Sequence, residues 1–203
     1  MDLEPLSQAV REDLDATFKA REIGLTNSRK IIRSSANAIR SLHRGEAEKA
    51  GGLMDDAGAL LRETVAALEG HPRILHAGFV SDAAKEYAEA RLTAALGDGA
   101  PLPLPADLGV ETAPYLNGLG EAVGEMRRRM LDLLRHEHLG EAEETLAKME
   151  AVLDLLADLD YPDGMTGGLR RTTDVTRALV ERSRSDLTTT MIQERLRASL
   201  EGR

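Results

Sequence analysis

Residues Phe79–Leu96 read FVSDAAKEYAEARLTAAL. At about 100° per residue, Phe79, Val80, Ala83, Tyr87, Ala90 and Ala94 gather on one face of a helix. Asp82, Glu86 and Glu89 line the edge of that face. A carboxylate at the border of a buried face is partly desolvated, and three of them within two turns repel one another unless something positive sits between them. A divalent cation answers that need; an ordinary amphipathic helix with solvated acids is the alternative. The choice turns on whether the chain supplies a second acidic helix to face this one.

The flanking chain is helical by its local signals. Leu6–Leu42 reads as one long helix without proline, with Leu6, Val10, Leu14, Phe18, Ile23 or Leu25, Ile31 or Ile32, Ala38 or Ile39, and Leu42 as its buried stripe and Gly45 as its end. Glu46–Glu69 forms a second helix closed by Gly70, and Pro72–Leu96 a third whose body is the quoted stretch. From Gly97 to Gly109, Pro101, Pro103 and Pro105 alternate and predict an extended loop inside one domain. Pro114–Arg135 and Leu139–Leu159 follow as helices, then most of Met165–Leu200, with Thr188-Thr189-Thr190 as an expected interruption. Gly118, Gly120 and Gly124 each cost about 1 kcal/mol relative to Ala inside a helix, which predicts the close approach of a neighbouring helix there. No stretch alternates like a strand, and no solenoid-type repeat recurs. The expected fold is all-α, one domain over residues 1–203, with six or seven helices.

Composition bounds the chemistry. The chain has 203 residues, 42% of them hydrophobic, enough to bury a core as one domain. Only 2% are aromatic, so the core must be built from Leu, Ala, Val and Met, which suit helix-on-helix packing. Cysteine is absent, which excludes disulfides, thiolate metal sites and a Cys nucleophile. Neither a signal peptide nor a run of about 18 apolar residues is present, and a cytoplasmic protein without a membrane span is expected. The formal charge of −9 argues against simple electrostatic coating of nucleic acid. Its distribution says more: Arg21, Arg29, Lys30, Arg33, Arg40 and Arg44 against Glu22 make Arg21–Arg44 an island of net +5. Gly168–Arg203, with eight arginines, has a net +3. Within the island Arg29, Arg33 and Arg40, four and then seven residues apart, stack on one side of the helix, as a track for phosphates or as a solvated exterior.

The fourth helix supplies the second acidic stripe. Glu121, Glu125 and Asp132 lie opposite the apolar face made by Tyr115, Leu116, Leu119, Val123, Met126, Met130, Leu133 and Leu134. Glu86 and Glu89 stand at i, i+3 on one helix, Glu121 and Glu125 at i, i+4 on another. Two antiparallel helices bearing such pairs can aim four carboxylates into one space, a common way for helical bundles to hold Mg²⁺ or Mn²⁺. No P-loop, no GxGxxG after a strand and no HExxH competes with this set. His136 and His138, two apart, do not share a helical face and read as helix-end residues.

These residues resemble a known family. Lys85–Ala90, KEYAEA, is similar to the QEYVEA segment of translin-associated factor X (TRAX), and YLNGLGEAVGEMRR from Tyr115 resembles the YLLGIADLTGELMR segment that follows it there. The order of helices, the proline-rich loop between the two motifs and the basic first helix fit as well. LRRTTD from Leu169 is similar to the LRKRYD of translin. The resemblance covers nearly the whole chain, and its specificity lies in short motifs occurring together in order. It implies a seven-helix translin-like α-superhelical bundle, a homo-oligomer forming a hollow octameric shell, and binding of single-stranded RNA or DNA. The catalytic branch implies a Mg²⁺-dependent endoribonuclease working inside that shell, with Glu86, Glu89, Glu121 and Glu125 as its catalytic carboxylates. The third of these is Asp in that branch and Glu121 here, one methylene longer.

The expected reaction is therefore phosphodiester hydrolysis of single-stranded RNA, with Mg²⁺ (or Mn²⁺) held by Glu86, Glu89, Glu121 and Glu125 and the strand by Arg29, Arg33 and Arg40. Three readings compete with it. The chain is otherwise a non-catalytic translin-like binder of single-stranded RNA or DNA, a MazG-like nucleotide pyrophosphohydrolase that also uses ExxE on one helix, or a structural helical adaptor whose acids are solvated.

Overall fold

Helix occupies nearly everything between turns: α1 (Glu4–His43), α2 (Ala47–Leu68), α3 (Pro72–Leu75), α4 (Gly78–Asp98), α5 (Pro105–Leu108), α6 (Thr112–Arg135), α7 (Leu139–Ala157), α8 (Asp163–Thr166) and α9 (Leu169–Glu201). This computed structural model describes residues 1–201, and no strand occurs among them. The fold is all-α, as the periodicity predicts. Six helices are long, and α3, α5 and α8 are single turns of four residues. None of the described helices is long and apolar enough to cross a membrane.

Three boundaries differ from expectation. The third predicted helix breaks at His76–Ala77, where His76 N–H closes back on the Pro72 carbonyl (3.0 Å), Ala77 N–H on that of Ile74 (3.1 Å), and the chain restarts at Gly78. The proline-rich loop contains the turn α5, started by the Leu104 N–H donating to Asp107 Oδ2 (2.8 Å) and stopped by Gly109 in the left-handed region (φ 64°). The threonine run does not interrupt α9. Thr188, Thr189 and Thr190 donate their hydroxyls to the carbonyls of Arg184, Ser185 and Asp186, four residues back, at 2.7–2.9 Å, so their polar groups are satisfied without leaving the helix.

The chain divides into two compact units, Met1–Tyr87 and Ala88–Arg203, with the boundary inside α4. In the first, α1 and α2 form an antiparallel hairpin. Asn27 Nδ2 donates to Thr64 Oγ1 (3.0 Å) and Ser34 Oγ to the Leu53 carbonyl (3.0 Å), pairing later positions of α1 with earlier ones of α2. Ala20, Leu68 and Val80 make a buried cluster with Ile74, Leu75 and Phe79 against it. Gly24 is closely approached there: a Cβ would stand 3.0 Å from the Phe79 ring and 3.3 Å from Leu68. At about 1.5 Å per residue α1 outruns α2 by some 27 Å, with 40 residues against 22. Leu6, Val10, Leu14 and Phe18, expected in the buried stripe, are accordingly 48–63% exposed.

In the second unit α6, α7 and α9 pack on one another around Leu119, Val123, Met126, Met130, Met149, Leu156 and Val180. α6 and α9 run parallel. Thr172 Oγ1 donates to Asn117 Oδ1 (2.5 Å) near their starts, and further along Arg127 reaches Ser183 Oγ (2.9 Å) and Asp186 Oδ2 (2.7 Å). The glycine signal in α6 has its explanation at Gly120, where a Cβ would overlap Thr172 Cγ2 and crowd Leu156 Cδ1. Lys148 Nζ donates to the Leu96 carbonyl (2.9 Å), placing a cation at the C-terminal end of α4. Tyr115 Oη donates to the Pro103 carbonyl (2.8 Å) and ties the proline-rich segment to the first turn of α6.

Candidate functional site

α4 and α6 carry the acids. On α4, Val80, Ala83, Tyr87, Ala88, Ala90 and Leu92 are all buried, so Glu86 and Glu89 emerge half-buried between buried neighbours, while Asp82 is exposed. On α6 the buried set Leu119, Ala122, Val123 and Met126 turns Glu121 to the exposed side and leaves Glu125 half-buried. Glu86, Glu89 and Glu121 each offer a carboxylate oxygen, all within 4.8 Å of one another. α4 is unbroken, so Glu86 is held to Glu89 by a single helical turn. Glu125 stands one turn further along α6 and is not one of the three. Lys85 Nζ lies 3.5 Å from Glu86 Oε1 and is a cation beside the group.

Three anionic oxygens from two helices are hard donors, and two opposite ligands of an octahedral Mg²⁺ lie about 4.2 Å apart. Carboxylates spaced within 4.8 Å therefore fit a divalent cation of this kind. Carboxylates this close repel one another, and a divalent cation between them would remove that repulsion.

Glu89 and Glu121 open onto a cavity of about 720 Å³ in the second unit. Gly120 lines it without a side chain, as do Gly167 and Gly168, both in the left-handed region (φ 59° and 83°). Val175 and Leu179 give it an apolar wall, and Arg171 is its cation. Asn117 builds this corner: its Nδ2 donates to the Thr166 carbonyl (2.9 Å) while its Oδ1 accepts from Thr172, next to Arg171. In the sequence Arg171 is one of eight arginines in a basic section and falls within the LRRTTD motif, and the approach of α9 to α6 brings it to the cavity that Glu89 and Glu121 line.

The other sequence candidates fall elsewhere. Arg29, Arg33 and Arg40 lie exposed along α1 in the first unit, where Arg40 donates to Asn37 Oδ1 (2.5 Å). His136 Nδ1 meets the Asp132 carbonyl (2.8 Å) and His138 Nδ1 meets Glu141 Oε1 (2.8 Å), both at helix ends, as the spacing predicts.

The chain is similar to the C3PO of Archaeoglobus, of which one crystal structure and one complex with duplex RNA are matched. To the protein of the RNA complex it is 32% identical, over 92% of this chain and 96% of that one, with a TM-score of 0.85. The crystal structure of that protein gives 32% identity over 92% and 97%, with a TM-score of 0.84. Apo C3PO of Nematostella, 20% identical over 94% and 100%, shares the fold with a TM-score of 0.81. An uncharacterized protein of Methanocaldococcus jannaschii is 26% identical over 182 residues, spanning 89% of this chain and 80% of that protein. No family model matches the chain.

Proposed function

Because this chain belongs to the translin/TRAX family, we propose that it is a divalent-metal-dependent endoribonuclease that cleaves single-stranded RNA within a homo-oligomeric, octameric shell. The observation that carries this reading is the convergence of Glu86, Glu89 and Glu121 beside a cavity large enough for a nucleotide. Glu86, Glu89 and Glu121 would hold Mg²⁺ or Mn²⁺, with Glu125 supporting them from the next turn of α6. The ion, when bound, supplies Lewis-acid stabilisation of charge at phosphorus and lowers the pKa of water. In hydrolysis the water oxygen adds to phosphorus, the P–O bond to the leaving ribose oxygen breaks, and that oxygen leaves with a proton. The glycines leave room for the backbone of the strand. Arg29, Arg33 and Arg40 provide the sequence-independent phosphate contacts of a binding track.

Replacing Glu89 by Gln keeps the shape and removes the charge that a hard cation needs. Cleavage of a labelled single-stranded RNA should fall by orders of magnitude, RNA binding should persist, and the rise in melting temperature caused by Mg²⁺ should shrink. A Glu89→Gln variant that cleaves as fast as wild type, with a melting temperature in both indifferent to Mg²⁺, would leave a binding protein. Hydrolysis of free nucleoside triphosphates with RNA untouched would instead favour a pyrophosphohydrolase.

A further inference from the structure

Arg171 shares its cavity with two carboxylates, Glu89 and Glu121, yet its guanidinium has no hydrogen bond or ion pair among the described residues. A cation lining one cavity with carboxylates that would hold a metal ion is an arrangement a phosphate can span, drawn both to the guanidinium and to that ion. Resting on the nuclease reading, we propose that Arg171 contacts the non-bridging oxygens of the scissile phosphate and holds them against the Glu86–Glu89–Glu121 group.

Four features support this assignment. The guanidinium presents five N–H donors in a planar fork that matches two phosphate oxygens, and an approaching phosphodiester needs such a charge to offset repulsion from the acids. The helical turn beneath Arg171 is fixed: its own N–H donates to the Gly168 carbonyl (3.0 Å), and neighbouring Thr172 is bonded to Asn117 on α6. A phosphate can come close because Gly120, Gly167 and Gly168 line the same space without side chains, and Val175 and Leu179 offer an apolar surface to the sugar or base. Arg170, one residue earlier, points into a different cavity with Asp160, Tyr161 and Asp174, so the two adjacent arginines are separable in an experiment.

The test uses the full chain, Mg²⁺ and a labelled single-stranded RNA, comparing Arg171→Ala, Arg171→Lys and Arg170→Ala. Arg171 is exposed, so its variants should fold and melt as wild type does. Arg171→Ala should lower kcat about a hundredfold or more, as loss of one transition-state donor does. Lys should recover part of the rate by restoring charge without the fork, Arg170→Ala should cleave normally, and the Mg²⁺-induced rise in melting temperature should be unchanged in all three. Wild-type cleavage together with undiminished kcat in Arg171→Ala overturns the inference and leaves the nuclease reading intact. If wild type itself does not cleave, the nuclease reading fails, and RNA binding decides Arg171. A salt slope reduced by about 0.7 in Arg171→Ala keeps it as a phosphate contact, and an unchanged slope removes it.

Discussion

Gly120 lies where α6 meets α9, and a methyl group there meets two opposing effects. Alanine is favoured over glycine inside a helix by about 1 kcal/mol. Against this, its Cβ would overlap Thr172 Cγ2, and Thr172 cannot turn away because its hydroxyl is bonded to Asn117. Overpacking of this kind costs about 1–3 kcal/mol. Gly120→Ala should therefore destabilise the protein on denaturant titration, and Thr172→Ser in the same chain, which removes Cγ2 and keeps the hydroxyl, should restore most of the loss. The sequence announced that a helix comes close at the glycines of α6; that Thr172 is the residue met there belongs to the packing. The same holds for the acids. Glu86 and Glu89 are neighbours by helical spacing alone, whereas Glu121 joins them, and Glu125 does not join the same close set, because of where α6 lies.

At the scale of elements, Tyr115 couples the proline-rich segment to α6. Burial chiefly, and the charge of Asp107 in addition, push its phenol above the ordinary value near 10. The folded state thus keeps this proton to higher pH than the unfolded chain, so the contribution is intact below pH 10 and is lost as pH rises through the folded-state pKa. Tyr115→Phe should lower stability at neutral pH by about 1 kcal/mol, the worth of the bond to Pro103, and make the alkaline decline shallower in melts across pH 9–12. The threonine run of α9 teaches a different lesson about elements. Three β-branched polar residues in succession lower helix propensity, but each hydroxyl finds the carbonyl four residues back, and packing of α9 on α6 and α7 outweighs the propensity.

For the whole molecule, the exposed row Leu6, Val10, Leu14 and Phe18 on α1 is the largest consequence of unequal helix lengths. Burying four such side chains between copies would contribute several kcal/mol, at about 1.5–3 kcal/mol each. Under the proposed assembly, Leu14→Glu with Phe18→Glu should lower the mass found by light scattering while leaving the helical circular dichroism unchanged. A mass equal to that of wild type would place the contacts on other surfaces.

Periodicity, proline and glycine placement and the scarcity of aromatics were enough to predict an all-α chain, most helix boundaries and the acidic pairs on α4 and α6, while the family was legible only through the short motifs around Lys85, Tyr115 and Leu169 occurring in order. These are consequences of local geometry: spacing along a helix assigns residues to faces without reference to any partner. Whether a face is covered, which residue Gly120 meets, and which arginine of eight lines a cavity with Glu89 and Glu121 depend on elements far apart in the chain, so they were settled only by packing. Leu14 is apolar and in register yet exposed because α2 is too short to reach it, and Arg171 lines one cavity with Glu121 where Gly120 lets α9 lie against α6.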